Sequence, residues 1–231
     1  DCKELSEPYR PGKLREMSFA NVISMVKEYR SLYGFYSDDL VGDYKRTIER
    51  LQKEQREAIE QLFSSFGNVL YSELHDFLNH GHEWIAAYDE SLASVHGLDF
   101  TDLICGVHRL FQDPVVRERW RSRYSYISVD EMQDTGVLEY KVLEMLWEGN
   151  HVLLCGDYFQ TIYEWRGSDP FRLLKQFDAD FKPLKIIFYE NYRSNWTLFT
   201  MAFKTLQNMF PDLVGSIYTE LPRANSESKG K

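Results

Sequence analysis

The sequence predicts an α/β protein in which a parallel sheet follows a mainly helical N-terminal region. The first observation is the spacing of apolar residues, at intervals of three and four, through residues 1–98. The second is a change after Arg123, where three short apolar runs alternate with segments of helical spacing. Such alternation of strands and helices is typical of a domain built on a parallel sheet. We therefore expect a helical part over residues 1–98 and an α/β part from residue 99 onward.

The helical part is predicted to contain three helical stretches. Apolar residues at helical spacing run from Phe19 to Tyr33. A longer amphipathic helix is expected to begin after Ser37-Asp38-Asp39, whose side chains suit a helix N-terminus, and to end at Gly67. The stretch EWIAAYDESLASV continues the same pattern. Amphipathic helical hairpins need no chemistry, so this part is predicted to be a scaffold or an arm.

The α/β part is predicted to begin with two helices. Thr101 is expected to cap the first, which extends to Phe111, and Asp113-Pro114 starts the second with proline at its first position. The runs YSYISV, HVLLC and PLKIIFY are predicted strands. Between the first two, VLEYKVLEMLW is a predicted helix with Asp134 or Thr135 at its cap. Ligands of parallel sheets bind beyond the carboxyl ends of the strands, which directs attention to the residues that follow each run.

Composition narrows the class of protein. No run of about 18 apolar residues occurs, so no membrane-spanning helix is predicted. Cys2, Cys105 and Cys155 form no CxxC pattern and no metal-ligand spacing, which is typical of a reducing cytoplasm. The chain starts without Met or an apolar signal segment, and we expect it to be a piece of a longer polypeptide. A net charge of −9 argues mildly against a nucleic-acid partner, although an acidic protein can carry a local cationic groove.

Two adjacent carboxylates, Asp130 and Glu131, follow the first predicted strand in YISVDEMQDT. Neighbouring anions repel each other, and a divalent cation relieves that repulsion. Mg²⁺ in nucleotide sites is held by one or two carboxylates together with phosphate oxygens, and a second carboxylate can orient or deprotonate an attacking water. A solvated acidic turn is the alternative, and for these two residues alone it is the more common outcome.

The run GDYFQTIYEWRGSDP follows the second predicted strand and favours a functional interpretation. Gln160 comes three residues after Asp157, where a neutral amide can hydrogen-bond to a γ-phosphate. Tyr163 and Trp165 alternate, so an extended backbone would present both rings on one face, beside the cation Arg166. Paired rings with a cation are typical of single-stranded nucleic-acid binding. The alternative is that both rings are core residues.

A third run, FYENYRSN, closes the third predicted strand. Arg193 can reach a phosphate as an arginine finger, which stabilises charge in the transition state. Tyr192 beside it can stack on a purine base. Taken alone, NYRS is a weak signal, because a surface arginine usually has no ligand.

Taken in order, DEMQDT, GDYFQTIYEWRG and ENYRS resemble motifs II, III and IV of the UvrD/Rep family of superfamily 1 DNA helicases. The resemblance extends from Asp99 to about Leu206. It implies an α/β fold of the P-loop NTPase (RecA-like) type, with a parallel sheet that is incomplete in this chain because the first strand of the motor domain is missing. Residues 1–98 would be a helical insertion of the kind named 1B, residues 99–187 the remainder of motor domain 1A, and residues 188–231 the truncated start of motor domain 2A.

The same resemblance implies a role for each matching residue. Asp130 is expected to bind Mg²⁺, and Glu131 is expected to act as the catalytic base for water. Gln160 is expected to sense the γ-phosphate, and Arg193 to contact it from the second motor domain. The remaining positions are assigned to the nucleotide (Tyr192, which would stack on adenine, and Asp157) or to single-stranded DNA (Trp165, Tyr163 and Arg166).

The activity that the resemblance implies is that of an ATP-dependent DNA helicase and translocase that moves 3′ to 5′. Its cofactors would be ATP and Mg²⁺, and its partners single-stranded DNA and junctions between single-stranded and duplex DNA. Location in the cytoplasm and no membrane association are expected. Protein partners are not predicted.

The chain departs from the family pattern because it contains no P-loop of the form G-x-x-x-x-G-K-[ST]. Around Gly12-Lys13, Glu7 stands where the first glycine should be and Leu14 where Ser or Thr should be. Since the P-loop binds the β- and γ-phosphates, residues 1–231 alone are expected to have negligible ATPase activity. Two alternatives stay open. One is a non-catalytic DNA-binding or regulatory module derived from a helicase. The other is a helical interaction protein, which would account for residues 1–98 only.

Overall fold

The structure, a computed structural model, describes residues 11–54, 70–161, 170–218 and 222–224. The chain divides into two compact units, one up to Gln176 and the other from Phe177 onward. The predicted domain boundaries after residues 98 and 187 stay predictions. In the part of the chain that is described, no helix is both long enough and apolar enough to cross a membrane.

Among the described residues, the N-terminal part of the first unit contains three helices: α1 (Pro11–Tyr33), α2 (Leu40–Glu54) and α3 (Leu70–Ser94). The predicted helix from Phe19 is confirmed and begins earlier, at Pro11. Asp39 caps α2, since its Oδ1 accepts a hydrogen bond from the backbone N–H of Gly42 at 2.9 Å. The predicted continuation of α2 to Gly67 lies outside the described residues.

Apolar side chains from the three helices form one core. Its residues recur at helical spacing, so each helix presents one apolar stripe to the other two. Burial of one such side chain contributes about 1.5–3 kcal/mol, and the tertiary contact therefore stabilises helices whose outer faces are charged. The buried members are Val22, Met25, Val26, Tyr29, Tyr44, Ile48, Leu51, Phe77 and Ile85.

Two short helices lead to the sheet: α4 (Phe100–Leu110) and α5 (Pro114–Arg121). The predicted cap of α4 at Thr101 is wrong. Asp99 has extended dihedral angles, so its Oδ1 accepts from the backbone N–H of Asp102 at 2.7 Å, whereas Thr101 is buried inside the helix. The predicted start of α5 is confirmed, with Asp113 as N-cap and Pro114 in the first turn.

Lys27 joins the three-helix part to α4. The side chain is buried, and its Nζ lies 3.1 Å from Asp89 of α3 and 3.0 Å from Asp99, with a further ion pair to Asp102. It also lies 5.4 Å from the centre of the Tyr88 ring. A buried cation is tolerated when carboxylates surround it, so this cluster fixes α1, α3 and α4 together.

The first two predicted strands are confirmed. Strands β1 (Tyr126–Val129) and β2 (His151–Leu154) pair in parallel, with Tyr126 opposite His151 and Val129 opposite Leu154. Helix α6 (Val137–Glu144) forms the crossover between them, as parallel strands require. Its buried Tyr140 packs edge-on against Trp147, with ring centres 5.1 Å apart. Both strands therefore end at the same edge of the sheet.

The third predicted strand, PLKIIFY, is not formed. Helix α7 (Pro170–Phe181) ends at Phe181, and the residues that follow it, 182–189, form neither helix nor strand. The next strand, β3 (Glu190–Asn191), pairs in parallel with β4 (Arg223–Ala224), and α8 (Trp196–Met209) and α9 (Pro211–Ile217) lie between them. A strand needs partners for its backbone groups. Within the described residues, β4 pairs with residues 190 and 191, and the N–H of its Arg223 also donates to the carbonyl of Tyr189 at 2.8 Å.

Candidate functional site

The loops that follow β1 and β2 are joined by backbone hydrogen bonds. The N–H of Cys155 donates to the carbonyl of Val129 at 2.8 Å, and the N–H of Met132 donates to the carbonyl of Cys155 at 2.9 Å. These bonds extend the pairing of the strands past their carboxyl ends. The two predicted motifs, DEMQDT and the start of GDYFQT, are thereby brought into contact.

Asp130 and Glu131 both point into solvent at this edge. Oδ1 of Asp130 accepts a hydrogen bond from the backbone N–H of Glu131 at 2.9 Å. Glu131 has φ 51° and ψ 41°, in the left-handed region that residues other than glycine rarely adopt. Such a conformation costs about 1–3 kcal/mol and is found most often at functional sites. The strain falls on the residue that the sequence predicts as the catalytic base.

The pair of carboxylates suits a magnesium ion in the presence of a nucleotide. Among the described residues, no group of three or more His, Cys, Asp or Glu side chains could hold a metal ion by itself. Mg²⁺, however, usually keeps several waters and takes only one or two carboxylates together with phosphate oxygens. An exposed Asp130 at a strand end therefore fits as a single protein ligand to such an ion.

Gln133 connects the two loops through its side chain. It is 2% exposed, its Nε2 donates to Oε2 of Glu131 at 2.7 Å, and its Oε1 accepts from the N–H of Asp157 at 3.0 Å. The sequence interpretation missed this role. The available signal was an amide two residues after Glu131, but the motif alone does not say whether that amide is buried.

Asp157 organises the start of the second loop. Its Oδ1 accepts from the N–H of Phe159 at 3.0 Å, and its Oδ2 accepts from Nε2 of Gln160 at 2.9 Å, across a 3₁₀ turn over Tyr158–Gln160. Both carboxylate oxygens thus accept hydrogen bonds from residues of the turn. The assignment of Asp157 to the nucleotide stays a prediction. Gln160 itself is exposed. Glu131, Gln133, Asp157 and Gln160 form one continuous hydrogen-bonded series.

The predicted cap of α6 by Asp134 or Thr135 is wrong. Gly136 occupies the N-cap position, and its N–H donates to Oε2 of Glu139 at 2.8 Å. Asp134 ends the 3₁₀ turn Met132–Asp134 that follows the strained Glu131, and Thr135 is buried. Asp134 and Thr135 belong to the end of this tight turn, and the helix begins only after them.

Tyr192 and Arg193 lie in the second unit, after β3. The side chain of Asn191 accepts from the N–H groups of Arg193 and Ser194 at 3.0 and 2.8 Å, and this turn leaves the Arg193 side chain exposed. The hydroxyl of Tyr192 donates to Oε2 of Glu190 at 2.5 Å, while the residue is 69% exposed. The predicted DNA contacts Tyr163, Trp165 and Arg166 lie outside the described residues.

Comparison with known proteins identifies the sequences that this chain resembles. Residues 8–182 match the model of the UvrD/REP helicase N-terminal domain. The chain is 34% identical over 143 residues to DNA helicase II of Haemophilus influenzae, across 60% of this chain and 20% of the relative. It is 37% identical over 131 residues to the ATP-dependent DNA helicase Rep of Buchnera aphidicola subsp. Schizaphis graminum, across 55% and 20%. It is 36% identical over 126 residues to the ATP-dependent DNA helicase PcrA of Staphylococcus aureus, across 53% and 17%. The matched part therefore spans about a fifth of these relatives.

Proposed function

Since the chain belongs to the UvrD/Rep helicase family, we propose that it supplies the metal-binding acid and the catalytic base of the ATP site in a DNA helicase. The observation that carries the proposal is the hydrogen-bonded series from Glu131 through Gln133 and Asp157 to Gln160. It links a strained, exposed carboxylate to an exposed amide on the neighbouring loop. A solvated acidic turn would need neither the strain nor the link.

In the proposed site, each side chain has one task. Glu131 accepts the proton of the water that attacks the γ-phosphate, and Gln160 hydrogen-bonds to that phosphate without adding charge. Asp130 holds Mg²⁺ together with phosphate oxygens. When bound, the ion neutralises charge on the phosphates. Arg193 contacts the γ-phosphate, Tyr192 stacks on the adenine, and Asp157 supports the nucleotide through the turn that carries Gln160.

DNA is the proposed partner because the relatives are named as DNA helicases. Trp165 and Tyr163 would stack on bases of single-stranded DNA, and Arg166 would neutralise a phosphate. The proposed activity of the complete site is ATP-dependent 3′ to 5′ movement on single-stranded DNA and unwinding at junctions, in the cytoplasm. Residues 1–231 by themselves would turn over little ATP, because their sequence contains no G-x-x-x-x-G-K-[ST] motif.

A chimaera tests the proposal. The aligned segment of the Staphylococcus aureus PcrA relative is replaced by the matching segment of this chain, and ATP hydrolysis is measured with and without single-stranded DNA. We expect DNA-stimulated ATPase activity that Glu131→Gln lowers about 100- to 10,000-fold, the usual contribution of a general base. Glu148→Gln, a matched change at an exposed residue paired with Arg121, should leave the rate unchanged. Full activity of the Glu131→Gln chimaera would refute the proposed base.

The second candidate is a non-catalytic DNA-binding or regulatory module. It predicts DNA binding by the chimaera without ATP hydrolysis, whatever residue occupies position 131. The hydrogen-bonded series from Glu131 to Gln160 favours the catalytic proposal, since a module without chemistry has no need to join these two side chains.

A further inference from the structure

We propose that Gln133 is a positioning residue that orients Glu131 and makes this orientation depend on the loop that begins at Asp157. The inference rests on the proposed function of Glu131 as the base. It adds a mechanical connection between the carboxylate that activates water and the loop that carries Gln160. Neither the family match nor the names of the relatives assigns a role to this glutamine.

The two hydrogen bonds of the Gln133 side chain require the same amide orientation. Nε2 can only donate, and it faces the carboxylate of Glu131; Oε1 can only accept, and it faces the N–H of Asp157. A flipped amide would place an oxygen against the carboxylate and an N–H against an N–H. The bond to Asp157 therefore selects the orientation that also holds Glu131.

The second loop packs closely against the side-chain amide of Gln133. A Cβ atom added to Gly156 would lie 2.7 Å from Oε1 of Gln133, 3.2 Å from the nitrogen of Met132 and 3.3 Å from that of Gln133. Only a glycine allows the second loop to approach this closely. The carbonyl of Gln133 also accepts from Oγ1 of Thr161 at 3.3 Å, so the loop contacts Gln133 at both of its ends.

These contacts explain how a movement of the second loop would reach Glu131. Gln133 engages Oε2 of Glu131 and leaves the other carboxylate oxygen for a water. The chain continues from Thr161 directly into Tyr163, Trp165 and Arg166, the residues proposed to contact DNA. A shift of the Asp157–Thr161 loop would withdraw the N–H of Asp157 that donates to Oε1 of Gln133, and Glu131 would lose the Nε2 donor that orients it. The amide thus couples the loop to the base.

The first part of the test uses the 231-residue chain and does not depend on ATP hydrolysis. Hydrogen exchange of the Asp157 backbone amide is followed by NMR in the wild type, Gln133→Met and Gly156→Ala. We expect exchange at Asp157 to accelerate about tenfold or more in both variants, as loss of a protecting hydrogen bond predicts. The amide of Cys155, which bonds within the sheet extension, should be unaffected. Gly136→Ala is the matched control, because its Cβ would meet Glu139 only at 3.6 Å.

The second part measures ATP hydrolysis by the same variants in the PcrA chimaera. If Gln133 orients the base, its replacement should lower kcat about 10- to 100-fold, as loss of a supporting hydrogen bond does in other sites. The KM for ATP should stay nearly unchanged. In the Glu131→Gln background, Gln133→Met should add little, because the group that it positions has already been removed. Gly156→Ala gives the same readout if Gln133→Met folds poorly.

The possible outcomes are separable. Unchanged exchange at Asp157 would overturn the connection, and faster exchange with normal kcat would overturn the positioning role. Additive losses of kcat in Gln133→Met and Glu131→Gln would show that Gln133 acts only on general stability. A chimaera that stays fully active with Glu131→Gln contradicts the proposed function itself, and the exchange experiment still decides whether the connection exists.

Discussion

Lys27 is the residue on which the packing of α1 against α3 and α4 depends most. It is 8% exposed, and three carboxylates from two other segments surround its ammonium group: Asp89, Asp99 and Asp102. Burial alone would lower the pKa of Lys27, but the hydrogen bonds that its ammonium group donates to these carboxylates outweigh burial and hold the pKa above its usual value. Lys27 is therefore charged at neutral pH.

Replacing Lys27 with methionine should lower the free energy of unfolding by about 1.5–3 kcal/mol, because removal of the cation breaks its hydrogen bonds to charged groups and leaves three partly buried carboxylates close together. Urea unfolding of the 231-residue chain measures the change. Lys185→Met is the matched control: its ion pair with Asp178 is largely exposed and should contribute about 0–1 kcal/mol. Equal effects of the two substitutions would contradict the structural role of Lys27.

The pH dependence of stability should reveal Asp99 in the same cluster. Burial would raise the pKa of Asp99, but hydrogen bonds from the backbone of Asp102 and from Lys27 lower it below the ordinary 3.8. The unfolded chain therefore binds the proton at a higher pH than the folded chain. The stabilisation is complete above about pH 4 and is lost as the pH falls through the folded value.

We expect Asp99→Asn to be less stable than the wild type at neutral pH, with a difference that shrinks as the pH falls below the ordinary aspartate pKa of 3.8. Urea unfolding at several pH values checks this. Stability equal to that of the wild type at neutral pH would show that Asp99 acts only as the N-cap of α4, since asparagine also caps helices well.

At the scale of single elements, the helix ends explain why the short helices form. Helix α5 has eight residues, too few for stability in isolation. Oδ1 of Asp113 accepts from the N–H of Val115 at 2.8 Å, and Pro114 needs no hydrogen bond for its own nitrogen. The two residues together fix the start of the helix just before β1.

Asp113→Ala should lower the free energy of unfolding by about 0.5–2 kcal/mol, the usual contribution of an N-cap. Asp38→Ala, also an exposed aspartate, should change it by less than about 0.5 kcal/mol. Chemical denaturation of both variants gives the comparison. If the two variants are equally stable, the cap of α5 does not contribute to the fold.

Strands β1 and β2 show how much of a sheet the local sequence can predict. In β1 and β2, every second side chain is exposed, among them Tyr126 and Leu153. Parallel strands are ordinarily covered on both faces. The local sequence was sufficient to predict these two strands, because each is apolar and is bounded by polar residues.

At the scale of the whole chain, the exposed apolar residues of the second unit predict its behaviour in solution. In residues 182–188, which form no strand, Leu184 is 88% and Phe188 85% exposed, and Ile186 between them is also exposed. Contiguous exposed apolar surface and unpaired backbone both promote association. This segment therefore favours contact with another copy of the chain.

We expect the purified chain to self-associate as its concentration rises, and Ile186→Lys to reduce this association. Analytical ultracentrifugation over a range of concentrations gives the measurement. Asn208→Lys adds the same charge at an exposed position in α8 and should have a smaller effect. If the two variants associate equally, net charge rather than the apolar segment controls the behaviour.

The sequence by itself determined the features that depend on neighbouring residues. Asp113-Pro114 starts a helix because cap and proline act within one turn, and Asp130-Glu131 follows a strand because the apolar run ends there. The tertiary structure decided the rest. Asp99 rather than Thr101 caps α4, Gln133 is buried between two loops, and PLKIIFY forms no strand. Each of these depends on burial or on hydrogen bonds between segments far apart in the chain, and local spacing carries no information about which distant groups will meet.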